Sequence, residues 1–473
     1  MKSSLTDLLP WIGDAILSGE AEFEGVSTDS RKVLPGNLFV ALRGEHFDAN
    51  NFIDEVVTRG AAAVIVDRLP ANPVPALIVA DTRHALAEIA SFWRGHFTMP
   101  VIGVTGSNGK TTVKEMIAAI LHAAYGADKI LATQGNLNND IGVPMTVLRL
   151  FDDCRAAVIE MGMNHPGEIA LLTHIARPTV ALINNAQREH QEFMLSVAAV
   201  AEENGAAIKG LPADGVAVFP ADDEFTPLWR AYAGQRQCMS FGFSADADVS
   251  CRISSSTQGE AFGSRMAVRA GDQQFEVLLA APGQHNVRNA LAAIACTVAI
   301  GVTPEAICRG LAAFVPVSGR LQLKTTAAGG VLIDDTYNAN PDSVLAAIDV
   351  LANMAAPRLL VLGDMGEVGT DGPAFHREIG AYAAKAGIEQ LFTLGDLAAD
   401  ASSAFGKTGR HFNDLADLNT ALDALMRSAS SAASPAATVL VKGSRFMKME
   451  RVVQHLVEQS PQQPPQHSTQ EAH

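Results

Sequence analysis

One eight-residue stretch constrains this chain more than any other: Thr105-Gly-Ser-Asn-Gly-Lys-Thr-Thr112. It follows an apolar run (Val101, Ile102, Val104) and precedes Val113 to His122, where apolar residues recur at helical spacing. Strand, glycine loop and a helix that opens on Lys-Thr form the design that cradles phosphate. Glycine lets the backbone turn and approach the anion, and the helix start offers N–H groups without partners. A lysine neutralises charge and a threonine hydroxyl holds magnesium. The common form has a glycine where this chain has Val104; here the earlier glycine is Gly106, so the loop is a shortened variant. A turn that merely caps a helix explains the two glycines but not the Lys-Thr-Thr that follows. The stretch predicts a nucleoside triphosphate site built from Gly106, Ser107, Asn108, Gly109, Lys110, Thr111 and Thr112.

At 473 residues the chain is too long for one ordinary core, and two or three domains are expected. A formal net charge of −16 argues against a nucleic-acid or anionic-membrane surface, but not against a local basic patch for a small anion. The cysteines (Cys154, Cys238, Cys251, Cys296, Cys308) are scattered and form no C-x-x-C pair, which fits free thiols in a reducing compartment. Lys2, Asp7 and Asp14 interrupt the amino-terminal apolar residues, and no apolar run reaches spanning length. The expectation is a cytoplasmic protein without a membrane segment.

Taken in order, the segment before the loop has the size of a small domain. Leu38 to Leu42 and Ala61 to Val66 read as buried strands, with a helical stretch to Thr58 between them. Ser27, Thr28, Ser30 and Arg31 suit a phosphate or carboxylate, and equally suit a polar turn. In the middle third, strands at 156–160 and 179–183 alternate with helices at 167–175 and 196–208, which implies a parallel sheet covered on both faces. Glu160, Asn184 and His190 fall at strand ends, where such sheets bind ligands. A buried carboxylate there is costly unless it faces a cation, so Glu160 is a candidate magnesium ligand. His190 reads equally as a metal ligand or a hydrogen-bonding residue. Val249 to Leu279 looks like an antiparallel patch. Asn286 and Asn289, three apart at the start of a helix, either read the edge of a planar base or belong to an ordinary capped helix start. After Arg320 the chain is again βα, with Asp335, Lys442, Ser444 and Arg445 at strand ends; Arg320, Lys442 and Arg445 suit an anion or a solvated surface alike. The Pro- and Gln-rich tail from Ser460 is expected to be disordered.

These motifs resemble those of the Mur ligases of peptidoglycan synthesis. The resemblance is carried by Thr105 to Thr112, Gly135-Asn-Leu-Asn-Asn-Asp-Ile-Gly-Val-Pro144, Glu160-Met-Gly162, Gly283 to Ala292, Asp335-Thr-Tyr-Asn-Ala-Asn-Pro341 and Val441-Lys-Gly-Ser-Arg445. It implies an α/β protein of three domains: a small α/β UDP-substrate domain at 1–97, a central P-loop ATPase domain with a doubly wound parallel sheet at 98–316, and a Rossmann-like α/β domain at 317–459 that closes over the site, before the tail at 460–473. It implies an ATP-dependent amide-bond ligase working through an acyl phosphate. Its substrates would be a UDP-N-acetylmuramoyl-tripeptide and D-alanyl-D-alanine, its cofactors ATP and Mg2+, and its state a monomer. By the same resemblance Ser30 and Arg31 contact the UDP-sugar, and Asn136 and Asn139 the muramoyl peptide. Lys110 and Thr111 hold phosphate and magnesium, Glu160 and His190 hold metal, and Asn286, Asn289, Arg320 and Asp335 bind the nucleotide. Lys442, Ser444 and Arg445 meet the dipeptide or the nucleotide.

The chain departs from the family at one place. Where the family carries a lysine modified to a carbamate, the helix here reads Val200-Ala-Glu-Glu-Asn-Gly205, with Asn204 in the lysine's place. A neutral amide forms no carbamate, so a second metal would rest on Asn204 with a water, on Glu203, or be held more weakly. Two other readings share parts of this pattern: a related amino-acid ligase of the Mur or folylpolyglutamate kind, and a P-loop NTPase without ligase chemistry.

Overall fold

The computed structural model describes residues 1–189, 191–257, 263–327, 329–429 and 437–458. The expected tail lies outside them. The chain forms two compact units: the first comprises Met1–Glu189, Phe193–Ala280 and Gln284–Val315, and the second is built mainly from the described residues after Val315.

The first unit opens with a five-stranded sheet: β1 (Ile16–Ser18), β2 (Val26–Ser27), β3 (Leu38–Val40), β4 (Ala63–Val66) and β5 (Ala76–Ile78), in the order β1-β5-β4-β3-β2. Only β1 runs antiparallel to its neighbour. Alternation along the strands sends Leu38, Val40, Ile65 and Leu77 to one face, and Phe39, Val64 and Val66 to the other, against Val33, Ile53 and Val56. Helix α1 (Thr82–Arg94) starts where Asp81 accepts hydrogen bonds from the backbone N–H groups of Arg83 and His84. Its apolar stripe (Leu86, Ile89, Ala90) joins the first face of that sheet to Val143, Val147, Ile169 and Leu172 further along the chain, in one continuous core. Buried Arg94 closes this joint by donating to the carbonyls of Phe97, Ala176 and Arg177 at 2.6, 3.0 and 3.1 Å. Burial draws its pKa down to about 10.

The larger sheet of this unit contains β6 (Val101–Thr105), β7 (Ile130–Ala132), β8 (Ala156–Glu160), β9 (Val180–Ile183), β10 (Val216–Pro220), β11 (Gln237–Gly242), β12 (Val249–Thr257), β13 (Gly263–Ala270) and β14 (Gln273–Leu279). Their order is β14-β13-β12-β11-β10-β9-β6-β8-β7. From β7 to β12 all pairs are parallel, and every residue of β6, β8, β9 and β10 is buried, as unbroken apolar runs require when helices cover both faces. The expected antiparallel patch is real but is not separate: β12 pairs in parallel with β11, and β13 and β14 extend the sheet antiparallel from there. The strand order reverses direction at β6, between β8 and β9. Such a reversal leaves a crevice beyond the carboxyl ends of the strands. Helices α2 (Lys110–Tyr125), α3 (Glu168–Ala176), α4 (Val197–Lys209) and α5 (Gln284–Ala299) flank this sheet.

The second unit has the sheet β15 (Gln322–Thr325), β16 (Val331–Asp335), β17 (Arg358–Gly363), β18 (Gln390–Leu394), β19 (Gly409–Phe412) and β20 (Thr438–Lys442), ordered β15-β16-β20-β17-β18-β19. It is parallel except for β15. One apolar cluster lies on each face: Ile333, Leu360, Leu440 and Leu391 with α6 (Pro341–Ala352) and α7 (Gly372–Lys385), and Val361, Phe392, Val439 and Val441 with Leu418, Leu422 and Val452. Among the described residues no helix is long and apolar enough to cross a membrane.

Candidate active site

The crevice beside β6 is filled by the predicted glycine loop. Gly109, at φ +81°, turns the chain into α2; a Cβ there would stand 2.5 Å from Asn289 Oδ1 and 2.8 Å from Asn184 Nδ2. Glycine is therefore required twice, by conformation and by space. The loop is stitched to the segment that leaves β9. Ser107 N–H donates to Asn185 O (3.1 Å), Asn108 N–H to Asn185 Oδ1 (2.8 Å), and Asn108 Nδ2 to Gln187 Oε1 (2.7 Å). In return Asn184 Nδ2 and Asn185 Nδ2 donate to Asn108 O at 2.7 and 3.0 Å, and Gln187 N–H donates to Ser107 Oγ at 2.9 Å. Lys110 folds back over this loop: its Nζ reaches Gly106 O at 2.5 Å, Ser107 O at 3.0 Å and Glu189 Oε1 at 3.0 Å. Three acceptors match the three N–H bonds of an ammonium. Thr112 lies half-buried on α2 without lining this cluster of contacts.

Glu160, at the end of β8, is 2% exposed. Its Oε1 accepts from Thr111 Oγ1 (3.1 Å) and from Asn138 Nδ2 (2.8 Å), while its backbone N–H donates to Thr133 Oγ1 (3.0 Å). Glu160 Oε2 is buried and has no protein partner. A carboxylate oxygen so placed costs several kcal/mol unless a cation or donor meets it. With the Thr111 hydroxyl beside it, this all-oxygen pair fits a hard divalent ion. Magnesium asks for only one or two protein oxygens besides phosphate and water. His190 lies outside the described residues. Behind the carboxylate, fully buried Lys114 donates to Thr133 O at 2.9 Å and to Glu115, holding the end of β7 in place.

Asn138 was not singled out by sequence reasoning. Three asparagines stand in Gly135 to Pro144, and spacing alone does not say which one turns inward. The structure assigns the neighbours other work: Asn139 Oδ1 caps the N–H groups of Ile141 and Gly142 at 3.3 and 2.9 Å, and Asn136 is exposed, its carbonyl accepting from Asn138 N–H. Asn204 is fully buried on α4; its Oδ1 accepts from Thr105 Oγ1 at 2.6 Å, and its Nδ2 has no protein partner. Glu203, one of the three alternatives for a second metal, has both carboxylate oxygens engaged by backbone. They accept from Gly167 N–H (2.9 Å) and Ile169 N–H (2.8 Å) at the start of α3, so the residue serves as a helix cap. On α5, Asn286 and Asn289 share one face, with Asn289 Nδ2 donating to Asn286 Oδ1 at 3.2 Å. In the turn after β2, Ser30 is half-buried. Arg31 is exposed and forks onto both oxygens of Asp29 at 2.9 Å, which holds that carboxyl at about 2.

In the second unit, Asp335 and Lys442 form a buried pair at 2.6 Å. Lys442 also donates to Asn338 O (2.9 Å), and Asp335 Oδ1 accepts from Leu321 N–H (3.1 Å). Lys442 is 3% exposed, so its charge is turned into the fold and not toward solvent. Ser444 Oγ accepts from Gly366 N–H (2.7 Å) and donates to Ala339 O (3.0 Å), tying three strand-end loops together. Arg320 stacks on Tyr337, 4.1 Å from the ring centre. Arg445 is exposed and pairs with Glu450 at 3.1 Å.

Three families of sequence match this chain: "Mur ligase family, catalytic domain" over residues 22–94, "Mur ligase middle domain" over 104–297, and "Mur ligase, glutamate ligase domain" over 319–445. It is 42% identical over 456 residues to the UDP-N-acetylmuramoyl-tripeptide–D-alanyl-D-alanine ligase of Escherichia coli, with 96% of this chain and 98% of that protein covered. The crystal structure of MurF from Acinetobacter baumannii superposes with a TM-score of 0.89 at 33% identity, covering 96% of this chain and 99% of that one. MurF ligase from Thermotoga maritima, solved in complex with ADP, superposes with a TM-score of 0.79 at 27% identity, over 92% of this chain and 97% of that one.

Proposed function

This chain belongs to the Mur ligase family, and from that premise we propose that it joins D-alanyl-D-alanine to a UDP-N-acetylmuramoyl-tripeptide in the cytoplasm, using ATP. The observation that carries the reading is the phosphate loop, its Lys110 ammonium and the Thr111–Glu160 pair at the switch point of the larger sheet. A carboxylate does not react with an amine in water, because oxide leaves poorly and the anion repels nucleophiles. The terminal carboxylate of the tripeptide attacks the γ-phosphorus in line, the P–O bond to ADP breaks, and an acyl phosphate forms. Lys110 exchanges its loop carbonyls for phosphate oxygens and takes up the charge that develops there. The backbone N–H groups at the start of α2 hold the phosphates in register. The free amine of the dipeptide then adds to the acyl carbon, and the tetrahedral intermediate expels inorganic phosphate and loses a proton. Thr111 and Glu160 would hold a magnesium ion, which when bound neutralises phosphate charge. Asn286 and Asn289 meet the adenine, and the Asp29–Arg31 turn faces the uridine nucleotide.

A coupled phosphate-release assay with a panel of acceptors tests this. Turnover should require both the UDP-muramoyl tripeptide and the D-alanyl dipeptide, and Lys110→Ala should lower kcat by about 10^3 or more, the scale of losing a preorganised charge, with an unchanged circular dichroism melt. Phosphate release without an amine acceptor, or equal use of diaminopimelate or glutamate, would overturn the assignment.

A further inference from the structure

Asn184, 1% exposed at the end of β9, does more than brace the phosphate loop. Its Nδ2 donates in two directions, to Asn108 O in the phosphate loop (2.7 Å) and to Asn289 Oδ1 on α5 (2.9 Å). A backbone carbonyl only accepts, so the contact to Asn108 fixes which end of the Asn184 amide faces the loop. The amide nitrogen is therefore also what Asn184 presents to α5. Asn289 must answer with its oxygen, and its own nitrogen is left toward Asn286 Oδ1, 3.2 Å away. The chain of bonds runs one way, from a backbone acceptor to the pair of amides that meets the base.

Direction matters to a base reader. Adenine offers an acceptor (N7) beside a donor (N6), whereas guanine offers two acceptors on the same edge. At the six-position of the ring adenine carries a donor and guanine an acceptor, so an amide held with its oxygen there pairs with adenine alone, whereas one able to turn over can offer its nitrogen to guanine O6. We propose that Asn184 is a positioning residue that locks the Asn289 amide and thereby makes the site prefer ATP over GTP. This rests on the reading that Asn286 and Asn289 meet the base.

The test is the ratio of kcat/KM for ATP to that for GTP, measured on the full chain with both acceptor substrates present. Asn184→Ala should lower that ratio at least about ten-fold, ~1.4 kcal/mol. Asn184→Asp keeps the volume but offers only acceptors, so Asn289 should turn its nitrogen toward position 184, and the ratio should fall further than in the alanine variant. A role in packing alone predicts the opposite ranking, with aspartate milder than alanine. Asn184→Ser, which keeps a small donor, should lie between wild type and alanine and replaces the alanine variant if that does not fold. Asn289→Ala separates the two claims. If it leaves the ratio unchanged, the base-reading assignment fails. If it lowers the ratio while the folded Asn184 variants keep the wild-type value, the proposal is overturned and that assignment stands.

Discussion

Lys442 illustrates how a single side chain can carry the right chemistry for one task and be committed to another. As a cation at a strand end it invites an anionic substrate, yet its ammonium is 2.6 Å from Asp335 and nearly buried, in contact with Asn338 O as well. Breaking a buried pair by removing one partner strands the other charge and costs ~3–5 kcal/mol. Lys442→Met should therefore lower the denaturant midpoint of the second unit strongly, and Asp335→Asn in the same chain should recover part of the loss. If Lys442 chiefly met the dipeptide, the methionine variant would raise KM for D-alanyl-D-alanine and leave the midpoint where it was. Arg445, exposed and paired with Glu450, is the comparison, with an expected change below ~1 kcal/mol. At this scale the sequence was readable where chemistry and spacing coincide, as at Gly109, Lys110 and Thr111. It was silent where equivalent residues compete: which of three asparagines turns toward Glu160 depends on the bend at 136–138, and that the Glu203 carboxylate braces a helix start from elsewhere in the chain is not visible in its own helix.

Among the elements, α7 and the loop after β17 show a coupling that no local pattern announces. His376, on α7, is fully buried; its Nδ1 pairs with Gly372 O at 2.7 Å and its Nε2 accepts from Met365 N–H at 3.0 Å. Accepting from Met365 requires Nε2 without a proton, and burial lowers the pKa of this imidazole below its ordinary 6.5, against weaker opposite pulls from Gly372 O, Asp364 and Asp400. Below pH 6.5 the unfolded chain takes up a proton that the folded one refuses. This contribution to stability is present above pH 6.5 and drains away as pH falls toward the folded-state value, with a slope of at most ~1.4 kcal/mol per pH unit for one proton. Melting followed from pH 8 to 5 should show this slope, and His376→Asn should lower the melt at neutral pH while flattening the dependence. Strands and helices themselves were legible, since the apolar run at 156–160 became a strand with those bounds. The attachment of β12 to β11 was not, because an alternating strand looks the same whether it pairs within its own hairpin or with a distant parallel neighbour.

For the molecule as a whole, the sheets and the cores divide the chain differently. The second unit closes an apolar cluster over each face of its own sheet. A fragment beginning at Pro316 should therefore fold alone, with dispersed amide signals and a cooperative melt. Residues 1–97 have a sheet of their own, but one face of it and the stripe of α1 belong to the core that continues into Val143, Ile169 and Leu172. Expressed separately, that segment should bind hydrophobic dye and melt without a sharp transition; a cooperative unfolding curve from it would contradict this description. The guanidinium of Arg94, wedged among three carbonyls on both sides of the seam, has a consequence for anyone hoping to retarget such a ligase. The amino-terminal sheet is not a cassette to be exchanged at residue 97. A chimaera would have to import the facing surfaces of α3 and of residues 143–150 along with it, and a donor that kept its own versions of those surfaces would arrive as a mismatched half.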